Sequence, residues 1–162
     1  MTFQASPLRS VQTTGLAGEI ARDGPQRSTP WILNSSGQPN VIGYAYHKVA
    51  DGEAEVGGTG AFVGILSQPK EHALVGSGSS SLTPSNILAD GLNGTLTTMG
   101  ILYIQLDGTG DAGTVDKALY SNDTTGAIAA GTPGAGETAI PNAKIVIDDV
   151  PADGLAIVSF TN

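Results

Sequence analysis

The sequence of 162 residues contains no cysteine, so it can form neither a disulfide framework nor a thiolate-bound metal site. Charged residues make up only 14% of the chain, against about 25% in an average soluble domain. No cluster of lysine and arginine offers the positive surface that nucleic-acid binding needs. No apolar run approaches the roughly eighteen residues of a membrane span, and the first residues lack the basic-then-apolar layout of a signal peptide. We therefore expect no nucleic acid, no membrane, and synthesis in the cytoplasm.

Large apolar residues are scarce but sufficient for folding. Isoleucine, leucine, valine and phenylalanine together number 38 of 162 residues, just above the roughly 20% level below which chains tend to stay disordered. Glycine and proline, at 23 and 9 residues, stay short of a low-complexity composition. The composition predicts one domain with a thin core and a surface rich in serine, threonine and glycine.

The charge is unevenly distributed along the chain. Net charge is −8, yet residues 1–50 carry four basic and two acidic side chains, a balance of +2. Residues 51–162 carry three basic and thirteen acidic side chains, a balance of −10. A mildly basic leading segment on an acidic body could be steered onto an acidic partner, although a difference this small also arises by chance.

Short apolar runs alternate with glycine-containing turns from residue 41 onward, which predicts a small all-β sandwich or barrel over residues 41–162. Residues 1–40 contain closely spaced prolines and glycines and are predicted as an extended N-terminal arm. A short helix is predicted at residues 83–92, with Pro84 in its first turn. Residues 76–81 and 126–136 are predicted as surface loops. The predicted strands are residues 41–49, 61–66, 95–106, 118–120, 143–147 and 155–161.

One glycine-rich stretch, DGTGDAG at residues 107–113, satisfies the spacing of a dinucleotide-binding loop. No full helix and no strand ending in an acidic residue follow at the required distances, so a hairpin connection is the preferred interpretation. Asp107, Asp111 and Asp116 could offer oxygen ligands to calcium. Because the ligand order of a calcium loop is missing, a solvated acidic loop is favoured.

No arrangement of residues predicts catalysis. The two histidines, His47 and His72, have no nucleophile motif beside them. Asp148 and Asp149 are adjacent, so in a strand they would point to opposite faces and could not flank one bond. We expect a protein that is not an enzyme and that needs no cofactor and no metal.

The order of three motifs resembles the structural cement (capsid decoration) proteins of tailed bacteriophages. Residues 18–25, GEIARDGP, are similar to the extended arm of that family. Residues 43–49 followed by GAFVGIL at residues 60–66 resemble its strand pair with a G-x-F-x-G-I/V ending. Residues 95–107 with 112–115 and 118–120 resemble its central hairpin. The NSSG turn at residues 34–37 departs from the Asn-Glu-Gly turn common in the family, which leaves the course of that loop open.

The resemblance implies a virion protein that binds the outer surface of the major capsid protein lattice and reinforces the head. It also implies homo-oligomers at local symmetry axes, with a homotrimer favoured and a dimer as the alternative. A carbohydrate-binding or tail-associated phage β-sandwich protein is the competing hypothesis. Within the arm, four side chains are the candidate capsid contacts, because arginine and tryptophan most often dominate interface energy; they are Arg9, Arg22, Arg27 and Trp31.

Overall fold

Eleven β-strands make up the regular secondary structure of the part of the chain that the computed structural model describes, namely residues 15–22, 24–68, 87–110, 115–146 and 154–161. Within those ranges there is no helix, which confirms the all-β prediction. The strands are β1 (Arg27–Leu33), β2 (Asn40–Val41), β3 (Ala45–Ala50), β4 (Glu53–Val56), β5 (Phe62–Leu66), β6 (Ile87–Leu88), β7 (Asn93–Gly110), β8 (Ala118–Asn122), β9 (Ile128–Ala130), β10 (Glu137–Ile145) and β11 (Leu155–Thr161).

The strand pairing closes into two five-stranded rings that share β7. Nine strands follow the order β1-β4-β3-β5-β7-β11-β10-β8-β9, and β7 pairs in addition with both β1 and β9. The first ring is therefore β1-β4-β3-β5-β7, and the second is β7-β11-β10-β8-β9. Strands β2 and β6 form a separate two-stranded sheet. Closure of both rings removes most free sheet edges.

The buried side chains form two hydrophobic cores, one for each ring, and the second core also includes Ala45, Phe62 and Ile65 from β3 and β5 of the first ring. The first core contains eight buried side chains: Leu33, Ile42, Tyr46, Ala54, Val56, Leu66, Leu88 and Leu96. The second is larger: Ala45, Phe62, Ile65, Leu102, Ile104, Leu106, Leu119, Ile128, Ala130, Ile140, Ala143, Ile145, Ala156, Val158 and Phe160. Alternate residues of β7 are buried at positions 94 and 96 and again from 100 to 106, so its first half contributes to one core and its second half to the other.

The N-terminal residues of the described chain complete the pairing of β7. Residues 99–105 pair with β11 on one side, and residues 18–21 cover the other side. The amide of Gly18 donates to the carbonyl of Tyr103 at 2.7 Å, and the amide of Ala21 donates to the carbonyl of Ile101 at 2.8 Å. The amide of Tyr103 donates in return to the carbonyl of Glu19 at 2.8 Å. Residues 18–21 and β1 thus lie against the same strand, while the division of the chain into an arm and a body stays a prediction.

Most predicted strands are confirmed, but the structure corrects three local predictions. Residues 87–88, within the predicted helix, form β6 and pair with β2; residues 83–86 lie outside the described residues. Residues 128–130, within a predicted loop, form the buried strand β9. The hairpin predicted around residues 107–113 is also wrong, because β9 lies between β7 and β8 and pairs with both. The predicted loop at residues 76–81 lies outside the described residues.

Candidate functional site

The candidate contacts Arg22 and Arg27 lie beside the middle of β7. Residues 18–21 and β1 follow the same side of β7, opposite β11, because Met99 pairs with Arg27 on one side and with Thr161 on the other, and Leu102 pairs with Ile20 and with Val158. A side-chain carbon added at Gly100 would lie 3.7 Å from Cγ of Gln26. Both arginines are exposed.

The Arg27 side chain is anchored at its base and leaves part of its guanidinium to solvent. Its Nε donates to Oγ1 of Thr98 at 3.1 Å, and that hydroxyl donates to the Arg27 carbonyl at 3.2 Å. The remaining N–H groups of the planar guanidinium can still donate hydrogen bonds to a carboxylate or a carbonyl oxygen of a partner. Arg27 is thus held in place at its base by two hydrogen bonds that involve Thr98.

Trp31 lies farther along β1, opposite Gly94 in β7. Its ring is half-buried and packs against the first core, beside the buried Leu33. At about 3.4 Å per residue, four residues separate Trp31 from Arg27 by roughly 13 Å. The structure therefore places Arg22 and Arg27 near each other, and Trp31 lies farther along β1 from both. Arg9 lies outside the described residues.

Three exposed apolar side chains near one end of the first barrel were not recognised from sequence. We call them the apolar end: Ile32, Val49 and Leu92, with 44%, 49% and 45% of their surface exposed. The amide of Ile32 donates to the carbonyl of Gly52 at 3.0 Å, which places it beside the β3–β4 turn that follows Val49. The amide of Leu33 donates to the carbonyl of Leu92 at 2.9 Å. Strand alternation could have indicated Ile32, because its neighbour Leu33 is buried.

A polar network borders the first core at Tyr46. The Asp90 carboxylate accepts from the amide of Ser35 at 3.0 Å and from Nδ2 of Asn40 at 2.7 Å. These two donors, with the amide of Gly37, hold the pKa of Asp90 below its usual range. Burial, followed by the charge of Asp90, raises the pKa of Tyr46, whose hydroxyl donates to Oδ1 of Asn40. Every member has a partner, which marks the network as a structural clamp.

The acidic residues considered as calcium ligands do not form a cluster in the described ranges. Asp116 pairs with Nζ of Lys144 at 2.8 Å, and Asp111 lies outside those ranges. No group of three or more potential metal ligands occurs among the described residues. His72, Asp148 and Asp149 lie outside them as well. The described ranges contain no helix, and so none that is long and apolar enough to cross a membrane.

The aromatic residues argue against a carbohydrate-binding surface. Glycan sites usually present exposed aromatic rings on which sugars stack. Seven of the eight aromatic residues lie in the described ranges, and each is buried or half-buried there. Trp31 itself packs against the first core.

Comparisons with known proteins give a consistent result. The family model described as "Structural cement protein (E217 gp24/Pam3 gp6)" matches residues 3–161. A solved chain from "The capsid of Myoviridae Phage XM1" has the same fold, with a TM-score of 0.69 at 14% sequence identity, covering 100% of this chain and 99% of that one. No curated protein matches the sequence. The match over nearly the whole chain shows that this protein belongs to the phage structural cement protein family and is a cement protein of the virion, located on the capsid.

Proposed function

We propose that this cement protein binds the outer surface of the major capsid protein lattice and stabilises the filled head without catalysing a reaction. The observation that carries the proposal is the family match, which extends from residue 3 to residue 161 and so includes both barrels and most of the N-terminal segment. The low charge content fits this role, because uncharged loops cost little to desolvate against a neighbour.

The closed barrels suit a protein that must hold its shape under mechanical load. Each described strand of the two rings has hydrogen-bonded neighbours, and β7 runs through both rings without a break. A load applied to one barrel is therefore carried directly into the backbone of the other. No flexible linker separates the two cores along β7.

Within this role, Arg9, Arg22, Arg27 and Trp31 are the proposed capsid contacts. The support from the structure is the exposure of Arg22 and Arg27 beside β7 and the anchored base of Arg27. The net charge of residues 1–50 supports an acidic partner surface. Trp31 is half-buried in its own chain, so its contribution is restricted to its exposed edge.

We further propose that the protein acts as a homo-oligomer, with a trimer at three-fold and quasi-three-fold positions favoured over a dimer. The support is the apolar end, since Ile32, Val49 and Leu92 leave apolar surface that a neighbouring copy could bury. Mass measurement at high concentration, in solution and after release from capsids, tests this proposal. A monomer under both conditions would contradict it.

The outer-surface assignment can be tested with sealed heads. Purified protein is added to DNA-filled heads that were assembled without it, and the heads are recovered by sedimentation. Only the outer surface is accessible in such heads, so the protein should sediment with them and saturate. Recovery of the protein only with open, empty shells would contradict the assignment.

The contact residues are tested with point variants, because deletion of the arm would also remove the pairing of residues 18–21 and β1 with β7. The double variant Arg22→Ala and Arg27→Ala should keep its melting temperature and lose affinity for heads by tenfold or more, about 1.4 kcal/mol. Lys144→Ala removes an exposed basic residue from β10 and serves as the control. Equal affinity of the double variant and the control would remove these arginines from the capsid contact.

A further inference from the structure

His47 is the one fully buried ionisable imidazole in the described part of the chain, and it lies where the two barrels meet. It belongs to β3, opposite Glu55 in β4 and Phe62 in β5. The Phe62 ring approaches the imidazole edge-on, with centroids 5.8 Å apart. Phe62 is part of the second core, whereas Tyr46, the residue before His47, is part of the first.

The imidazole takes part in a group of hydrogen bonds that joins the two barrels. Nδ1 of His47 lies 2.6 Å from the carbonyl oxygen of Gly57. The amide of Gly57 donates to the carbonyl of Ala45 at 3.0 Å, and the amide of Ala45 donates to the carbonyl of Gly126 at 3.0 Å. The amide of Gly58 donates to the carbonyl of Asp123 at 2.6 Å. The end of β4 in the first barrel is thereby fastened to the β8–β9 turn of the second.

The hydrogen bond to Gly57 fixes the protonation state of the ring. A carbonyl oxygen only accepts, so Nδ1 must carry the proton and donate. In the neutral ring Nε2 is then an unprotonated acceptor. Nε2 is buried and has no hydrogen-bond partner. A second proton would therefore create a buried N–H with no acceptor, together with a buried positive charge.

The charged groups around the ring do not outweigh its burial. Burial lowers the pKa of His47, while the Gly57 carbonyl and the carboxylates of Asp123 and Glu55 act in the opposite direction. Asp123 follows β8 and Glu55 lies in β4, whereas β5 contributes no charged side chain. The nearest basic residue in β3, Lys48, is paired with Asp51 at the surface.

We propose that His47 is an acid-sensitive lock between the two barrels, closed while the imidazole is neutral and opened when mild acid protonates it. The sign follows from linkage. In the unfolded chain the His47 imidazole takes up a proton near the ordinary histidine pKa of about 6.5, whereas in the folded chain its pKa is lower. The stabilisation of the folded state by neutral His47 is therefore fully present above about pH 6.5 and is lost as the pH falls toward the lower folded pKa.

The chain contains only two histidines, which makes the test direct. Unfolding equilibria of the full chain are measured between pH 5.5 and 7.5, a window above the ordinary pKa values of carboxylates. The unfolding constant of the parent protein should rise by up to about tenfold per pH unit of acidification below about pH 6.5. His47→Asn keeps a donor near the position of Nδ1 but cannot titrate, so its curve should be flat. His72→Gln should behave like the parent.

Two results would overturn the proposal. One is a pH dependence that persists in His47→Asn, and the other is a dependence that disappears in His72→Gln. If His47→Asn does not fold, the titration of His47 in the folded parent protein is followed instead through its imidazole NMR signals. A His47 titration midpoint well below 6.5 supports the lock, and a midpoint at or above 6.5 contradicts it.

Discussion

Leu96 and Leu102 lie six positions apart on the same strand, yet they belong to two different hydrophobic cores. The strand that carries them, β7, is 18 residues long, whereas strands usually span about 3–10 residues. Its first half pairs with β1 and β5, and its second half pairs with β11 and β9. The two barrels therefore share backbone, and loss of packing in one is transmitted to the other.

The shared strand predicts that both cores unfold together. Leu96→Ala and Leu102→Ala each empty a fully buried position and should lower the free energy of unfolding by about 2–5 kcal/mol. Denaturant unfolding followed by tryptophan fluorescence and by far-ultraviolet circular dichroism should still give one coincident transition, because β7 cannot leave one ring intact.

Leu16→Ala is the matched control, since 58% of Leu16 is exposed, and its effect should stay below about 0.5 kcal/mol. Two separated transitions in either buried variant, with Trp31 reporting only the first barrel, would contradict the shared-strand account.

The close approach of the two barrels predicts a steric requirement for glycine at position 126. Gly126 has φ of 72°, and a side-chain carbon there would lie 2.7 Å from the Ala45 carbonyl oxygen and from the Gly57 nitrogen. Gly126→Ala should therefore lower the free energy of unfolding by about 2 kcal/mol or more. Gly52→Ala is the control, because Gly52 has φ of 82° but no atom within 4 Å of the added carbon. It should cost only about 1 kcal/mol, and equal melting temperatures of the two variants would refute the steric argument.

The clamp around Asp90 predicts a second pH dependence, at more acidic pH than that of His47. The pKa of Asp90 is lowered by the Ser35 amide and by Asn40, so its stabilisation is present above the unfolded value of about 3.9 and is lost as the pH falls through the folded value. Asp90→Ala should lower the free energy of unfolding at pH 7 by about 1 kcal/mol, since the carboxylate is exposed to solvent.

The difference between the parent protein and Asp90→Ala should shrink below pH 4. Asp51→Ala removes a carboxylate whose pKa is also lowered, through its hydrogen bond with Lys48, but which makes no contact with the core. It should leave the melting temperature almost unchanged at pH 7. A difference between parent and Asp90→Ala that is independent of pH would show that the clamp does not act through its charge.

The fold class could be predicted from sequence because the apolar runs of β5, β7 and β11 alternate or are bounded by glycine turns. Strand β4 was missed, since its EAEV sequence is acidic, although its burial alternates between its glutamates and the buried Ala54 and Val56. Strand β1 was missed because it contains Pro30. The Ile32 amide donates away from β7, to Gly52, so by alternation Pro30 lies where no amide is needed for the β7 ladder.

The closure of the strands into two rings could not be predicted from local sequence patterns. Strand β9 contains only Ile128, Ala129 and Ala130, and its burial results from its position between β7 and β8. Pro84 indicated a helix start, but Ile87 and Leu88 pair with β2 instead. The basic residues of the candidate site were visible in the sequence, whereas the position of Arg22 and Arg27 along one side of β7 depends on long-range pairing.

The most direct test of the cement role measures the temperature at which heads release their DNA. Heads assembled without the protein are heated with a DNA-binding dye, before and after purified protein is added to saturation. The account predicts that bound protein raises the release temperature, and that the Arg22→Ala and Arg27→Ala double variant raises it less at the same concentration. Saturating binding with no change in the release temperature would contradict the conclusion that this protein reinforces the capsid.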